Sequence, residues 1–571
     1  MRRTKTLVSL CLALLLSVSM IAGAVAEPLV KYEEPVTIVV GRQNNAGGQF
    51  APGEDSENNA WTQMLKDELN IIIDVKNGFD VGGDDYDSTV AMRVAGQTMP
   101  DVFSIGETPK AMALFYQLVE AGKLADLTEI FNTEIGGKTQ EYIQTQDMGN
   151  IMQFMTVDGK IYGLNGGKEG YNTALLWIRK DWLDAVGMEA PSTLEELEAV
   201  ALAFIEQKPG GNENTIGIPL NPAAPTAMFG QWLGILPVFN AVGSYPDIWV
   251  TGADGKAVWG GVQPETKEAL GILADWYQKG ILDKNLVTMK DGDEVRDTYL
   301  ATNGCGMVFN AWWDPWVQWE GLQDLSVKND PTVEWIPVLA PLNKEGKFSP
   351  KNESIAPGGL VISADFAHPE AVVKALNLFH EVDIFRNPAY EDIRQKYIVP
   401  VEAITSARTN SPFPRAMVQL QNRILTAQNI NDYKATGVLT LDPRVANDAD
   451  YIQGAYNWLN ANTMADWYAN PDDTMSDEYM FQYVGHLAHD MVGNMYMEAE
   501  AAGIFEEKMP SFIGTVDAHI DYGAMLYDLQ HTAFMQIISG AQPLDYFDEF
   551  VAQWEKLGGT IVTEQVNATF E

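Results

Sequence analysis

The sequence predicts a two-lobed α/β protein that ends in a helical segment. The chain has 571 residues, 46% of them apolar, which is enough for more than one hydrophobic core. Strand and helix patterns alternate from residue 36 onward, and a second alternating segment follows Gly163. The apolar side chains of residues 410–571 mostly recur at helical spacing.

The first alternating segment contains three predicted strands and two predicted helices. The β-rich runs are residues 36–40, 71–75 and 102–105, and helical spacing covers residues 61–69 and 90–94. This alternation predicts a parallel sheet with helices on both faces. Ligands bind such sheets at the carboxyl ends of the strands, which selects the loops 42–58, 76–85 and 104–109.

The second segment begins with a buried strand and a capped helix. Residues 175–178 are apolar throughout, as in a strand covered on both faces. Thr193 is placed to cap the next helix, and Glu196 is expected to complete a capping box. Further strands are predicted at 307–309 and 359–363, with an extended run at 336–339 and a helix through 270–277.

The amino-terminal residues predict a secretory signal peptide. A basic region precedes an apolar run at 7–24, and Ala24, Val25 and Ala26 form a small-residue cleavage site. We expect a secreted protein at the extracellular face of the membrane or in the periplasm; an uncleaved anchor is the alternative. Cys11 lies within the signal, so Cys305 is left without a partner for an intramolecular disulfide.

The formal charge of −41, from 37 basic and 78 acidic residues, argues against nucleic acid as a partner. The acidic residues are spread along the chain, which is typical of a solvated surface.

The predicted division of the chain follows from these elements. Residues 1–26 are the signal peptide, 27–163 with 341–405 form lobe 1, 164–340 with 406–520 form lobe 2, and 521–571 are helices packed on the lobes. Extended crossings near 162–164 and 337–340 are expected to act as hinges.

Several motifs resemble those of bacterial extracellular solute-binding proteins. Residues 96–102 resemble that family's Gly-x-x-Pro-Asp-Val step, and residues 158–164 resemble its "DGKIYGLP" crossover. Residues 178–188 are similar to its "IRKDWLDKLGL" segment, and residues 356–371 resemble a later strand and its "HPEA" helix start. Residues 534–559 look like the last helices of the large, oligosaccharide-type members, so the matches cover nearly the whole mature chain.

This resemblance implies a type II periplasmic-binding-protein fold in which each lobe is a doubly wound sheet, with a helical extension at the carboxyl end. It also implies a monomeric component of an ABC importer that closes on an oligosaccharide and passes it to permease subunits, without catalysis or a cofactor. Residues 208–217 depart from the family's calcium loop, because Lys208 stands where the first carboxylate belongs, so we expect no metal site. A lipobox is also missing.

The tryptophans after residues 307–309 are the leading ligand candidates. Trp312, Trp313 and Trp316 follow Asn310 at the predicted end of this strand. Aromatic faces stack on sugar rings, and polar groups bind the hydroxyls. We expect one ring of the adjacent pair to face the cleft, whereas Trp276 and Trp319 have the spacing of core residues.

The other ligand candidates are loop residues near predicted strand ends or crossings. They are Gln43, Asn45, Asp55, Glu107, Glu169, Tyr171, Trp232 and Arg415. For each of them, an ordinary role on the surface or in a turn stays open.

Catalytic functions have weaker support in the sequence. His486 and His489 lie three residues apart without an evident third ligand, which disfavours zinc. Neither a phosphate-binding glycine loop nor a Gly-x-Ser-x-Gly elbow is present. The alternatives are a secreted carbohydrate-cleaving enzyme with a carboxylate pair, and a peptide-binding importer component.

Overall fold

The computed structural model describes residues 29–44, 50–106, 108–133, 136–145, 152–165, 171–222, 225–316, 333–352, 358–402, 410–413, 422–442, 445, 448–461 and 477–570. The strands in these ranges are β1 (Val36–Gln43), β2 (Ile71–Val81), β3 (Val102–Ile105), β4 (Thr156–Val157), β5 (Lys160–Ile161), β6 (Gly163–Leu164), β7 (Leu175–Arg179), β8 (Trp249–Thr251), β9 (Ala257–Trp259), β10 (Met307–Asn310), β11 (Trp335–Val338) and β12 (Gly359–Ile362).

Helices connect and cover these strands. Up to β12 they are Ala60–Met64 with Leu65–Leu69, Gly83–Ala95, Pro109–Glu120, Thr128–Asn132, Gly137–Thr145, Lys180–Val186, Leu194–Gln207, Pro225–Met228, Leu236–Ala241, Gly260–Val262, Pro264–Lys279, Leu286–Thr288, Gly292–Val295 with Arg296–Leu300, and Asp314–Trp316. After β12 they are Pro369–Phe379 with His380–Ile384, Pro388–Tyr390, Glu391–Tyr397, Val399–Glu402, Asn422–Thr436, Ala449–Ala461, Asp477–Val484 with Gly485–Met491, Val492–Ala501, Asp517–Ile538, Tyr546–Trp554 with Glu555–Gly559, and Thr560–Ala568. No helix in the described ranges has the length and apolarity of a membrane span.

The first sheet has the strand order β2-β1-β3-β12-β6. Strands β1, β2 and β3 are parallel as predicted, and β12 runs antiparallel to β3 and β6. Alternate residues supply cores on opposite faces: Val102 lies in one core, and Phe103 lies in the other. This double burial explains why the strands are nearly continuous apolar runs.

Two contacts fix the parallel strands. The Asp101 carboxylate accepts a hydrogen bond of 2.9 Å from the Val39 amide, which joins the start of β3 to β1. Burial raises the pKa of Asp101. The register of β1 with β2 shifts between Val39 and Gly41, and a Cβ on Gly78 would lie 1.9 Å from the Val40 carbonyl oxygen. Glycine is therefore needed for this close approach.

The second sheet has the order β10-β7-β11, and its neighbours are antiparallel. Leu176 and Ile178 lie in one core while Leu175 and Trp177 lie in another, so both faces are covered. The strand at 175–178 is therefore covered on both faces, as predicted. The sequence pattern did not predict that its neighbours would pair antiparallel to it.

The chain passes between the two sheets at different places from those predicted. Gly163 and Leu164 form the edge strand β6 of the first sheet, so the first crossing lies after residue 164. Pro337 and Val338, at the second crossing predicted for 337–340, belong to β11, so the chain is still in the second sheet at these residues.

Residues 341–352 were assigned to lobe 1 by sequence, but they contact segments that pack with the second sheet. The Tyr245 hydroxyl donates to the Ser349 carbonyl oxygen at 2.9 Å, and Phe348 bridges to Phe505. Since β12 begins at Gly359, the second crossing lies between residues 352 and 359.

Residues 410–413 were assigned to lobe 2 by sequence, but they pack with the first sheet. Phe413 is fully buried in a core of the first sheet and lies 6.3 Å from Phe379 between ring centroids. Arg423, at the start of the next described range, packs on Trp312 beside the second sheet. The third crossing therefore lies between residues 413 and 423, not at the predicted boundary of 405.

The predicted helix cap at Thr193 is present, but the full capping box is not. The Thr193 hydroxyl accepts a hydrogen bond of 3.2 Å from the Glu196 amide. The Glu196 carboxylate instead binds the Ser192 amide at 2.8 Å and the Ser192 hydroxyl at 2.7 Å. These hydrogen bonds lower the pKa of Glu196.

Candidate functional site

The carboxyl ends of β1 and β3 are held together by Tyr86 from the helix Gly83–Ala95. Its hydroxyl accepts from the Ser104 amide at 2.8 Å and donates to the Gly41 carbonyl oxygen at 3.2 Å. The next residue of β1, Arg42, is 2% exposed and contacts both oxygens of Asp80 at 3.0 and 3.1 Å. This edge of the first sheet is thus rigidly built.

A cavity of about 270 Å³ opens beside the end of β3. Ser104 and Gly106 line it together with Asp87 and Lys110 from the two flanking helices. Asp87 also accepts a hydrogen bond of 3.2 Å from Thr108, which holds the loop after the strand. The predicted ligand loop at 104–109 therefore borders a real cavity.

The end of β10 is joined to the segment 231–233 through Asn310. The side-chain oxygen of Asn310 accepts from the Leu233 amide at 2.6 Å, and its nitrogen donates to Asp314. The backbone carbonyl oxygen of Gln231 accepts from the Ala311 amide at 2.8 Å. Asn310 is fully buried, and its amide supports the strand end through these two hydrogen bonds. Its contact with a ligand stays a prediction.

An aromatic cluster follows directly. The rings of Trp312 and Trp316 meet edge to face at 5.3 Å, and both lie 5.7 Å from the His489 ring. The Trp316 indole donates to the Tyr451 hydroxyl at 3.1 Å. Trp312 is 8% exposed, whereas Trp313 and Trp316 are only partly buried.

Arg423 packs against the buried side of this cluster. Its guanidinium carbon lies 3.5 Å from the centre of the Trp312 ring, and its nitrogens lie 2.8 Å from His489 Nδ1 and 3.4 Å from Asp448. Burial and the adjacent Arg423 charge hold the pKa of His489 well below its usual value. The imidazole is therefore neutral at pH 7 and can accept a hydrogen bond from Arg423.

Trp313 is the ring of the adjacent pair that remains accessible. Several buried polar atoms have no hydrogen-bond partner among the described residues. They belong to residues next to Trp313 in the chain or to segments that pair with β10 or adjoin its partners. They are Asn172 Oδ1, Gln231 Nε2, Trp232 Nε1 and Trp312 Nε1. Asn172 precedes β7, whose first residue pairs with Asn310, and Trp232 bridges to Asn310. An aromatic face, unsatisfied donors and an acceptor gathered at one strand end can bind a neutral ring that carries hydroxyl groups.

The other predicted site residues have mixed positions. Gln43 ends β1, paired in register with Val81. Asp55 is exposed and accepts from the amides of Glu57 and Asn58 at 2.9 Å, as a turn residue does. The Tyr171 hydroxyl donates to Glu500, and burial and that carboxylate raise the pKa of Tyr171.

Four predicted contacts, Asn45, Glu107, Glu169 and Arg415, lie outside the described residues, as does Trp319. Trp276 is fully buried, as its spacing predicted, and donates to Glu198 at 2.9 Å.

Sequence reasoning missed Arg423 and Gln231, and it considered His489 only as a zinc ligand. Arg423 follows the polar pair Gln421–Asn422, and nothing local indicates that it packs on a tryptophan far away in the sequence. Gln231 precedes Trp232 and could have been selected with it as part of the same aromatic loop.

The described residues contain no group of three or more metal-binding side chains. Lys208 pairs with Glu213 in the stretch compared with the calcium loop. Cys305 is buried two residues before β10, and burial raises the pKa of its thiol, so it is poorly suited to nucleophilic chemistry.

Comparisons with known proteins agree with this architecture. The polygalacturonan/rhamnogalacturonan-binding protein YtcQ of Bacillus subtilis (strain 168) is 29% identical over 164 residues, which are 28% of this chain and 30% of that protein. The fructooligosaccharide ABC transporter substrate-binding protein FusA of Streptococcus pneumoniae serotype 4 (strain ATCC BAA-334 / TIGR4) is 30% identical over 135 residues, or 22% of this chain and 25% of that protein. The matches thus span less than a third of either curated relative.

The solved structure of alginate-binding protein AlgQ2 without calcium ion superposes over 94% of this chain and 98% of its own, with a TM-score of 0.61 and 15% identity. This likeness confirms the predicted type II periplasmic-binding-protein fold. The family model of bacterial extracellular solute-binding proteins matches residues 54–379, more than half of the chain. The chain therefore belongs to the family of bacterial extracellular solute-binding proteins.

Proposed function

We propose that this protein captures an oligosaccharide or glycan fragment and delivers it to the permease of an ABC importer. The proposal rests on the partly exposed Trp313 just after β10, and on the buried polar atoms without partners among the described residues in the segments at this strand end. Trp313, Trp316 and Trp232 are the proposed contacts with the sugar. Asn310, Trp312 and Arg423 position them from behind.

Both curated relatives are named as carbohydrate-binding proteins, for polygalacturonan or rhamnogalacturonan and for fructooligosaccharide, which supports a carbohydrate ligand. The charge of this chain, −41, favours a neutral glycan, because a polyanion would be repelled by the surrounding field. The one cation placed at the aromatic cluster, among the described residues, is Arg423, which is buried beneath Trp312.

The proposed mechanism is closure of two lobes around the ligand. The first lobe consists of residues 29–165 with 358–413, and the second of residues 171–352 with the helices from 422 onward, as the packing of Phe348 and Phe413 supports. A ligand that touches both lobes binds the closed state better, so it shifts the population toward closure. No chemical step is required.

The family also supports an extracellular location. We propose that residues 1–26 are removed as a signal peptide and that the mature protein is a monomer that meets its permease at the outer face of the membrane. Intact-mass analysis of the natively expressed protein tests this; a diacylglyceryl group on Cys11 would contradict it.

The function can be tested with purified protein and a glycan panel. Calorimetric titrations should use neutral fructo- and malto-oligosaccharides alongside polygalacturonate, and chromatography should follow each sugar. The proposal predicts saturable one-to-one binding of a neutral oligosaccharide, which is recovered intact. Release of shorter sugars without stoichiometric binding would instead support a carbohydrate-cleaving enzyme.

A further inference from the structure

A second cavity shares no lining residue with the aromatic cluster. Its volume is about 580 Å³. Glu381, Phe385 and Asn387, after the helix Pro369–Phe379, line one part. The helix Gly137–Thr145 lines another, and Asp442, beyond the helix Asn422–Thr436, lines a third. The cavity therefore lies between the first lobe and a segment that follows the third crossing.

Glu381 is the unusual group in this cavity. It is 2% exposed, and its Oε2 accepts a hydrogen bond of 2.7 Å from the Asn387 side chain. Its Oε1 is buried and has no hydrogen-bond partner among the described residues. A buried carboxylate oxygen without a donor is costly, so this position favours a bound cationic donor.

The lining already shows how an ammonium group is held here. Lys138 Nζ lies 2.6 Å from Glu141 Oε2 and 4.9 Å from the centre of the Phe385 ring. A carboxylate and an aromatic face are the two features that bind organic cations. Lys138 is the sole cation among the described lining residues, against the carboxylates of Glu141, Glu381 and Asp442.

The size and spacing of these groups suit an organic cation better than a metal ion. Calcium requires about six to eight oxygen ligands at about 2.3–2.6 Å, and the described residues contain no cluster of three metal-binding side chains. The cavity volume falls within the range of small-molecule sites, about 300–1,000 Å³.

We propose that this cavity binds a small organic cation, an ammonium or guanidinium compound, with Glu381 as its carboxylate partner and the Phe385 face as a wall. The site is separate from the proposed glycan contacts and does not depend on them. The cavity is lined by residues from before and after the third crossing, Glu381 and Asp442.

The test uses putrescine as the probe in calorimetric titrations of the whole protein without glycan. We expect saturable one-to-one binding that neither 1,4-butanediol nor calcium chloride displaces. Glu381→Gln keeps the volume and removes the charge, so it should weaken putrescine binding about tenfold or more. The matched control is Glu129→Gln, an exposed carboxylate on another helix, which should bind as the unmodified protein does.

Lys138→Met provides a second test with the opposite sign, and it remains informative if Glu381→Gln does not fold. Removal of the resident ammonium frees the Phe385 face and Glu141, so putrescine should bind about two- to fivefold more tightly. The proposal is overturned if putrescine binds neither the unmodified protein nor Lys138→Met. It is also overturned if calcium displaces putrescine, or if Glu381→Gln and Glu129→Gln bind putrescine with equal affinity. Because glycan binding is measured separately, failure of this site would not be confused with failure of the proposed function.

Discussion

Replacing Trp313 by alanine should weaken glycan binding while leaving the fold intact. Trp313 is partly exposed next to the buried Trp312. A sugar ring that covers about 60 Å² of the indole, roughly a third of a tryptophan's surface, would bury apolar area worth about 1.5 kcal/mol. The stacking geometry adds about 0.5–1.5 kcal/mol. The expected loss of about 2–3 kcal/mol corresponds to roughly 30- to 150-fold weaker binding.

The assay is calorimetric titration of the best-binding glycan from the panel, together with thermal melting of the free protein. Trp313→Phe is the matched control, because it keeps an aromatic face and should recover part of the affinity. The apo melting temperature of Trp313→Ala should change little. Unchanged affinity in Trp313→Ala, or a large loss of stability, would refute the assignment of this ring to the ligand.

Three further predictions concern stability. Trp312→Ala removes a buried ring that carries the Arg423 contact, so urea unfolding should show a loss of about 3–5 kcal/mol; a cost below about 1 kcal/mol would contradict its core role. Burial lowers the pKa of His519 from 6.5 to about 4, so as the pH falls from 6.5 to 4 the unfolded chain takes up this proton first and stability declines. His519→Gln should make the decline shallower in urea titrations, and an identical pH profile would argue against it. Thr193→Ala removes the hydroxyl that accepts a hydrogen bond from the Glu196 amide, so the free energy of unfolding should fall by about 1 kcal/mol in the same assay. Thr193→Ser keeps the hydroxyl and should change it little.

Much of the first sheet could be predicted because its strands are locally apolar runs. The end of β2 could not be, since Lys76, Asn77 and Gly78 continue the strand without an apolar pattern. They lie in the register shift between the pairs Val39–Asp74 and Gly41–Phe79, and only the neighbouring strand determines where that shift falls.

The crossings were harder to predict because non-local contacts decide them. Phe348 follows an extended run that resembles a hinge, yet its bridge to Phe505 keeps it with the second sheet. Phe413 similarly joins the first sheet through Phe379. Neither partner can be inferred from the residues next to it in the sequence.

The location of the candidate site could be predicted from the sequence, but the positions of its individual side chains could not. A strand followed by tryptophans indicates an aromatic strand end, and the aromatic cluster lies there. Which ring is buried depends on Arg423, which covers Trp312 from another part of the chain. The assignment of individual ligand contacts stays a prediction.

Small-angle X-ray scattering with and without the best-binding glycan tests the central claim, capture between two lobes, most directly. We expect a smaller radius of gyration at saturating ligand in the unmodified protein, and no change with the same sugar in Trp313→Ala at a concentration that leaves this variant unbound. An unchanged radius in the unmodified protein, at a ligand concentration that calorimetry shows to be saturating, would contradict lobe closure.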